Sequence, residues 1–300
     1  MFWGLTYLAI RMSLETLSPF QILCLRYTTS GSLMLVVAAV AGARFPRGRE
    51  LWLTAAFGVV TLGIGNGCLV FAEQWVPSGM ASLFLTTSPF WLVGIEAVAP
   101  GGERLNGPTL KGMLVGLAGL ALLLAPEASD FGARRGVLGG FFLLQLGSAG
   151  WAAGSIGQRR LISSAHPFVA GAVQQLATGL AYLIPMAIEF RPLHWTSRTT
   201  EGMLYLVFFG GIVGYSSYIF AMDRLPVALA SMYTYVNPIV AVLAGWLVYR
   251  EAFGVREGIA VAMIFIGVAL VKRASVPIQK LGPNQAAEGG ENREHQKRRQ

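Results

Sequence analysis

The stretch Phe71-Ala72-Glu73-Gln74-Trp75-Val76-Pro77, continuing through Ala81-Ser82 to Ser88-Pro89, decides the fold because it occurs twice. Shifted by 149 residues, Phe220-Ala221-Met222-Asp223-Arg224-Leu225-Pro226 runs through Ala230-Ser231 to Asn237-Pro238. The match extends outward from there. The same shift pairs Gly65 with Gly214, and a shift of 148 pairs Trp3 with Trp151, Arg11 with Arg159, Pro19 with Pro167, Phe20 with Phe168 and Gly31 with Gly179. A near-constant offset across several helices does not arise by chance. Residues 1–126 and 135–272 read as two copies of one unit.

Both copies are too apolar for water. The chain is 54% hydrophobic and 13% charged, with a mean hydropathy of +0.56, against about 25% charged residues in a soluble domain. Uncharged runs such as 33–42 and 259–271 are continuous rather than alternating. In hydrocarbon the backbone must satisfy itself, which leaves helices or closed barrels, and continuous runs favour helices over barrel strands. A crossing takes about 20 apolar residues. Polar breaks then delimit ten spans, at 2–17, 20–42, 51–72, 78–99, 110–125, 136–157, 168–190, 202–221, 227–249 and 255–272. The first, fifth and tenth are short, and local thinning or snorkelling accommodates such spans.

The expected fold is all-α: a polytopic membrane protein of ten transmembrane helices arranged as two five-helix repeats. Five is odd, so the second copy enters the bilayer in the opposite orientation. Inverted repeats are the architecture of alternating access, in which like halves exchange conformations around one cavity.

Orientation follows from the connectors. With the N-terminus inside, the inner side carries Arg44, Arg47, Arg49, Arg104, Lys111, Arg159, Arg160, Arg224, Lys272, Arg273 and Lys280. The outer side carries only Arg134, Arg135, Arg191, Arg198, Arg250 and Arg256. Both termini are therefore expected in the cytoplasm, with a cytoplasmic (inner) membrane location. Residues 273–300 are polar and lack the apolar area to fold alone, so a disordered cytoplasmic tail is expected there. The net charge of +8 sits in connectors and tail, a topology signal rather than a nucleic-acid surface.

Enzymes and cofactors find little support. The three histidines, His166, His194 and His295, lie in connectors or tail. Cys24 and Cys68 sit within apolar runs and read as packing residues. No metal, cofactor or catalytic group is expected. Gly63-Ile64-Gly65-Asn66-Gly67 follows no strand and is not a nucleotide fingerprint, and no Gly-Lys-Ser/Thr loop is present to use ATP directly. Asp130-Phe131-Gly132 is a chance triplet. Glycines four apart (Gly63/Gly67, Gly112/Gly116, Gly150/Gly154, Gly210/Gly214) read as sites of close helix approach.

The two copies of the opening stretch resemble the repeated EamA domain of the drug/metabolite transporter superfamily. Gly102-Glu103-Arg104-Leu105 after the first copy adds to this, as do Arg250-Glu251-Ala252-Phe253, Gly258 and Gly267 after the second, and Trp3-Gly4-Leu5-Thr6-Tyr7 with Arg11 at the start. The resemblance spans residues 2–272. It implies a ten-helix carrier of the bacterial cytoplasmic membrane, usually exporting amino acids, related metabolites or toxic compounds. Only Met1 and Phe2 precede Trp3, where similar proteins carry about ten further apolar residues.

Candidate transport residues follow from helical spacing. Ser82, Thr86 and Pro89 share one face, repeated by Ser231, Tyr235 and Pro238 with Asn237 beside it. Trp3, Tyr7 and Arg11 share another, matched by Trp151, Ser155 and Arg159. Asn66 pairs with Tyr215, and Tyr218 lies one turn on. Together they outline a cavity of rings, hydroxyls and amides suited to an amphipathic solute. Pro89 and Pro238 each free a carbonyl, of Leu85 and Thr234, and read as hinges facing that cavity.

Proton coupling would need a buried carboxylate, and Glu73 and Glu96 are the candidates. Arg26 and Asp223 are expected to snorkel to the nearest interface. The expected partners are a small-molecule solute and the lipid bilayer; a homodimer is admitted and no nucleic acid is expected. A structural or regulatory membrane protein without transport, an uptake carrier of the same fold and a membrane-embedded enzyme are the rival readings.

Overall fold

The computed structural model describes residues 2–100, 107–124, 131–161, 165–224, 233–250 and 254–274. Ten helical segments run through them: α1 Phe2–Leu14, α2 Pro19–Val40, α3 Arg49–Ala72, α4 Ser78–Val98, α5 Gly107–Leu124, α6 Phe131–Arg160, α7 Pro167–Glu189, α8 Ser197–Arg224, α9 Tyr233–Tyr249 and α10 Val255–Ala274. No strand occurs among the described residues. Six helices (α2, α3, α4, α6, α7 and α8) are long and apolar enough to cross a membrane. α1 has only 13 residues. The tail 275–300 and Ser231 lie outside the described residues.

Local sequence sets the helix starts. Ser18 caps α2 through the amide of Gln21, whose side chain returns a bond to the Ser18 amide, and Pro19 occupies the first turn, where a missing N–H costs nothing. His166 caps α7 in front of Pro167 through the amide of Phe168 alone. The repeat-related prolines thus stand at equivalent helix starts.

Polar side chains share the interior with a large apolar core, while many large apolar side chains face outward. Buried positions include Ser13, Arg26, Ser30, Ser148, Gln174, Gln175 and Thr178, whereas Val36, Val40, Ile184, Ile188, Trp246 and Leu247 point outward. Lipid solvates the second set, and the first must find partners inside. Ser30 donates to Gln175 at 2.5 Å, and Thr178 and Ser13 bond back to their own helices.

Helix pairing obeys an exchange rule between the halves. α2 packs on α7 and α5 on α10, each pair being repeat partners. α1 packs on α8 and α9, while α6 packs on α3 and α4; α3 meets α7, while α8 meets α2. Swapping the halves maps each of these contacts onto itself or onto another of the set.

Glycine makes the two self-paired crossings close. An added Cβ on Gly31 would lie 2.5 Å from the backbone nitrogen of Leu176, and one on Gly179 would meet the nitrogen of Thr28. A Cβ on Gly119 would lie 2.8 Å from the Ala260 carbonyl, and one on Gly267 2.6 Å from that of Gly112. Gly150 and Gly154 similarly bring α6 onto Ile64 and Thr61 of α3.

Each half also carries one widened, π-helical segment at corresponding depth, Val59–Asn66 in α3 and Leu206–Tyr215 in α8. Such segments displace backbone carbonyls from the regular ladder and cluster at functional sites. Here they are met by side-chain donors: Tyr182 Oη bonds the Gly63 carbonyl at 2.7 Å, and Trp3 Nε1 bonds that of Gly210 at 3.0 Å.

Candidate functional site: a buried polar cavity

A cavity of about 80 Å³ lies where α1, α2, α3, α4, α6, α8 and α9 converge. At roughly 10–15 Å³ per water it has room for a handful of waters or a small head group. Of the residues expected from sequence, Trp3, Tyr7, Asn66, Ser82, Trp151, Tyr215 and Asn237 line it. They come from six different helices, and the two tryptophans occupy repeat-equivalent positions.

A second cavity, of about 310 Å³, lies against the C-terminal ends of α6 and α8 and the N-terminal end of α7. Ser155 and Tyr218 line this one, with Arg159 and Asp223. Tyr215 borders both cavities. An aromatic layer stands between them. Trp3 meets Trp151 edge-on at 5.5 Å, and Tyr218 approaches Trp3 at 5.3 Å and Trp151 at 5.2 Å. Hydrogen bonds lock the layer: Trp151 Nε1 to Tyr218 Oη at 3.0 Å, Tyr218 Oη to Ser155 Oγ at 2.8 Å, and Tyr215 Oη to Gln174 Oε1 at 2.6 Å.

The remaining expected residues fall elsewhere. Thr86 is buried but bonds the Leu83 carbonyl in its own helix, away from the cavity wall. The Tyr235 and Pro238 side chains lie outside what is described, although both residues belong to α9. Pro89 stands one residue past a tight 3-10 turn, Leu85–Thr87, in the first turn of the helix that begins at Ser88. The Leu85 carbonyl that Pro89 frees does not face the cavity bare: it accepts the Ser88 amide and, at 2.6 Å, the Ser88 hydroxyl. Glu73 is buried outside the cavity lining. Glu96 pairs with Arg160 at 2.7 Å on a partly exposed surface, where Arg160 also bonds the Pro100 carbonyl.

Arg26 departs from expectation. Rather than snorkelling, it turns inward, is 3% exposed and lines the central cavity. Gly210 of the π-helical segment gives it room, since an added Cβ there would stand 2.9 Å from Nη2. Sequence position alone did not separate a snorkelling arginine from an inward one, because α2 carries almost no amphipathic asymmetry to say which side is which. The glycine facing it lies in α8, far along the chain, where no local pattern links the two.

Six membrane-length helices and a cavity lined by polar and aromatic residues of both halves of the chain are features of a membrane protein of the transport class. Comparison with known sequences gives the particular one: the chain belongs to the EamA-like transporter family, whose profile matches residues 1–125 and again 138–273. It is 32% identical over 273 residues to the "Uncharacterized inner membrane transporter YedA" of Escherichia coli strain K12, covering 90% of this chain and 86% of that protein. It is 26% identical to the "Probable amino-acid metabolite efflux pump" of the same organism, over 89% of each chain. A solved crystal structure at 24% identity aligns with a TM-score of 0.69 over 92% of this chain and 95% of its own, a likeness of fold.

Proposed function

We propose that this protein is a secondary transporter of the cytoplasmic membrane. In this reading all ten helices cross the bilayer as two oppositely oriented five-helix repeats, both termini are cytoplasmic, and small metabolites such as amino acids or amphipathic toxic compounds are exported by alternating access. One observation carries it. A single buried polar cavity is walled by equivalent residues of both halves, Trp3 with Trp151 and Asn66 with Tyr215. Exchange of conformation between two like halves moves such a cavity from one membrane face to the other without moving the solute far.

The exchange rule in helix packing supports the inverted arrangement, and the name of the efflux pump relative supports export and amino-acid-like solutes. The second cavity opens beside Arg159 and the α6–α7 connector, on the side rich in arginine, which makes it the cytoplasmic vestibule. The Trp3–Trp151–Tyr218 layer is then the closed inner barrier. Rings fill the passage, and their hydrogen bonds keep it from opening unless an alternative partner is supplied.

Solute flux in proteoliposomes tests the proposal. Purified protein should accelerate movement of at least one member of a panel of amino acids and amphipathic toxins over protein-free vesicles. Equal rates with and without protein across the whole panel would reject it.

A further inference from the structure

Among the described residues, a cation without a matching anion stands in the central cavity. Nε and Nη1 of Arg26 are buried and have no hydrogen-bond partner among the described residues, and none of the carboxylates described there lies within ion-pair distance of the guanidinium. The Tyr27 ring covers one face at 4.9 Å, which leaves the donor edge of the fork to be met by something else. On the same cavity wall the Oδ1 of buried Asn237 also has no donor among the described residues.

The other half of the molecule shows what a purely structural answer looks like. The repeat equivalent of Arg26, 148 residues on, is Gln174. It is fully buried and satisfied by protein alone, accepting from Tyr215 at 2.6 Å and donating to Gln158 at 2.9 Å. The two repeat-related helices therefore fill the same position in opposite ways. One carries a neutral, completed network, and the other a charged fork that lines the central cavity. Buried charge persists where it is paired and hydrogen-bonded, and a planar guanidinium matches a carboxylate in two parallel hydrogen bonds.

We propose that Arg26 is the anion site of the transporter and that its solutes carry a carboxylate. The carboxylate accepts from the terminal Nη1 edge of the guanidinium, and Asn237 Oδ1 accepts from a donor group on the same solute, such as an ammonium or hydroxyl. The apolar remainder packs on Trp3 and Trp151. Charge neutralisation then favours the occluded state only when solute is present, because the empty cavity keeps an unpaired cation that needs water.

The inference rests on the transporter reading, and two readouts keep them apart. Binding is followed by intrinsic tryptophan fluorescence and thermal stability of the full-length protein in detergent. The probes are matched triples of one skeleton, for example L-leucine, L-leucinamide and 4-methylpentanoate, extended to other amino acids. Flux is followed in proteoliposomes with the same compounds. At least one amino acid and its amine-free acid should bind while the corresponding amide binds at least tenfold more weakly. Arg26→Gln should abolish that preference, and Arg26→Lys should restore part of it.

Equal binding of acid and amide by the wild-type protein would overturn the site without any variant being needed, and so would failure of every acid tested. Retained acid preference in a folded Arg26→Gln protein would do the same. Binding with this preference but no flux would sink the transporter reading and leave the anion site standing. Flux of amides as fast as acids would do the reverse.

Discussion

Gly31 and Gly179 occupy reciprocal positions in the α2–α7 crossing: each backs onto the main chain beside the residue equivalent to its own neighbour's contact, Leu176 for one and Thr28 for the other. The two helices touch backbone to backbone around a local two-fold relation. Gly119 and Gly267 repeat that relation between α5 and α10. Without a hydrophobic drive between helices in lipid, close approach of this kind supplies the packing and hydrogen-bond contacts that hold them together.

Filling that crossing should therefore separate the helices. Gly31→Leu and Gly179→Leu are each expected to cost about 1–3 kcal/mol by overpacking. The measurement is thermal unfolding of the purified protein in detergent. Gly94→Ala, with open space around an added Cβ, should be neutral or slightly stabilising. Equal midpoints for all three variants would discard the crossing as a point of strict fit.

The aromatic layer predicts an access change. Tyr218→Phe removes the acceptor of Trp151 Nε1 and the donor to Ser155, and an orphaned buried donor costs about 1–3 kcal/mol. The closed barrier should loosen. A cysteine placed at Ser148, on the central cavity wall, should react several-fold faster with a maleimide applied from the cytoplasmic side, in a background lacking Cys24 and Cys68. An unchanged labelling rate would mean that the layer bars nothing.

Topology is checked from the connectors. Arg47→Cys should stay inaccessible to an impermeant reagent in intact cells, while Arg191→Cys should react. Labelling of both from the same face would invalidate the odd-numbered repeat.

The two carboxylate candidates should behave differently. Glu96 is half of a partly exposed pair with Arg160, and such pairs are worth about 0–1 kcal/mol. Glu96→Gln should leave both flux and its dependence on a proton gradient close to wild type. Glu73 is buried, and Glu73→Gln should slow gradient-driven flux at least several-fold while sparing solute exchange at equal pH. Gradient dependence that survives Glu73→Gln removes it from proton coupling.

Pro89 stands behind a 3-10 turn whose carbonyl Ser88 has taken up. Pro89→Ala should restore a regular ladder there, preserve insertion and slow transport by a few-fold through a stiffer α4. Wild-type rates would show that the kink serves packing only.

Much of the architecture was legible in the linear chain. Continuous apolar runs fixed where helices lie, because backbone groups in hydrocarbon leave no other choice, and predicted spans such as 20–42 and 168–190 fall within a few residues of α2 and α7. The doubled Phe-Ala…Pro stretch pointed to the family, and turn spacing together with the repeat match named Trp3, Tyr7, Asn66, Ser82, Trp151, Tyr215 and Asn237, which the structure gathers around one cavity. Sequence could not decide direction and pairing. Whether Arg26 reached lipid or the interior depended on a glycine in α8, nearly two hundred residues away. The burial that separates Glu73 from Glu96 came from helix neighbours, and so did the division of the aromatic faces between two cavities. Periodicity along one helix names a face but not what that face meets; only the packing of the ten segments supplies the partner.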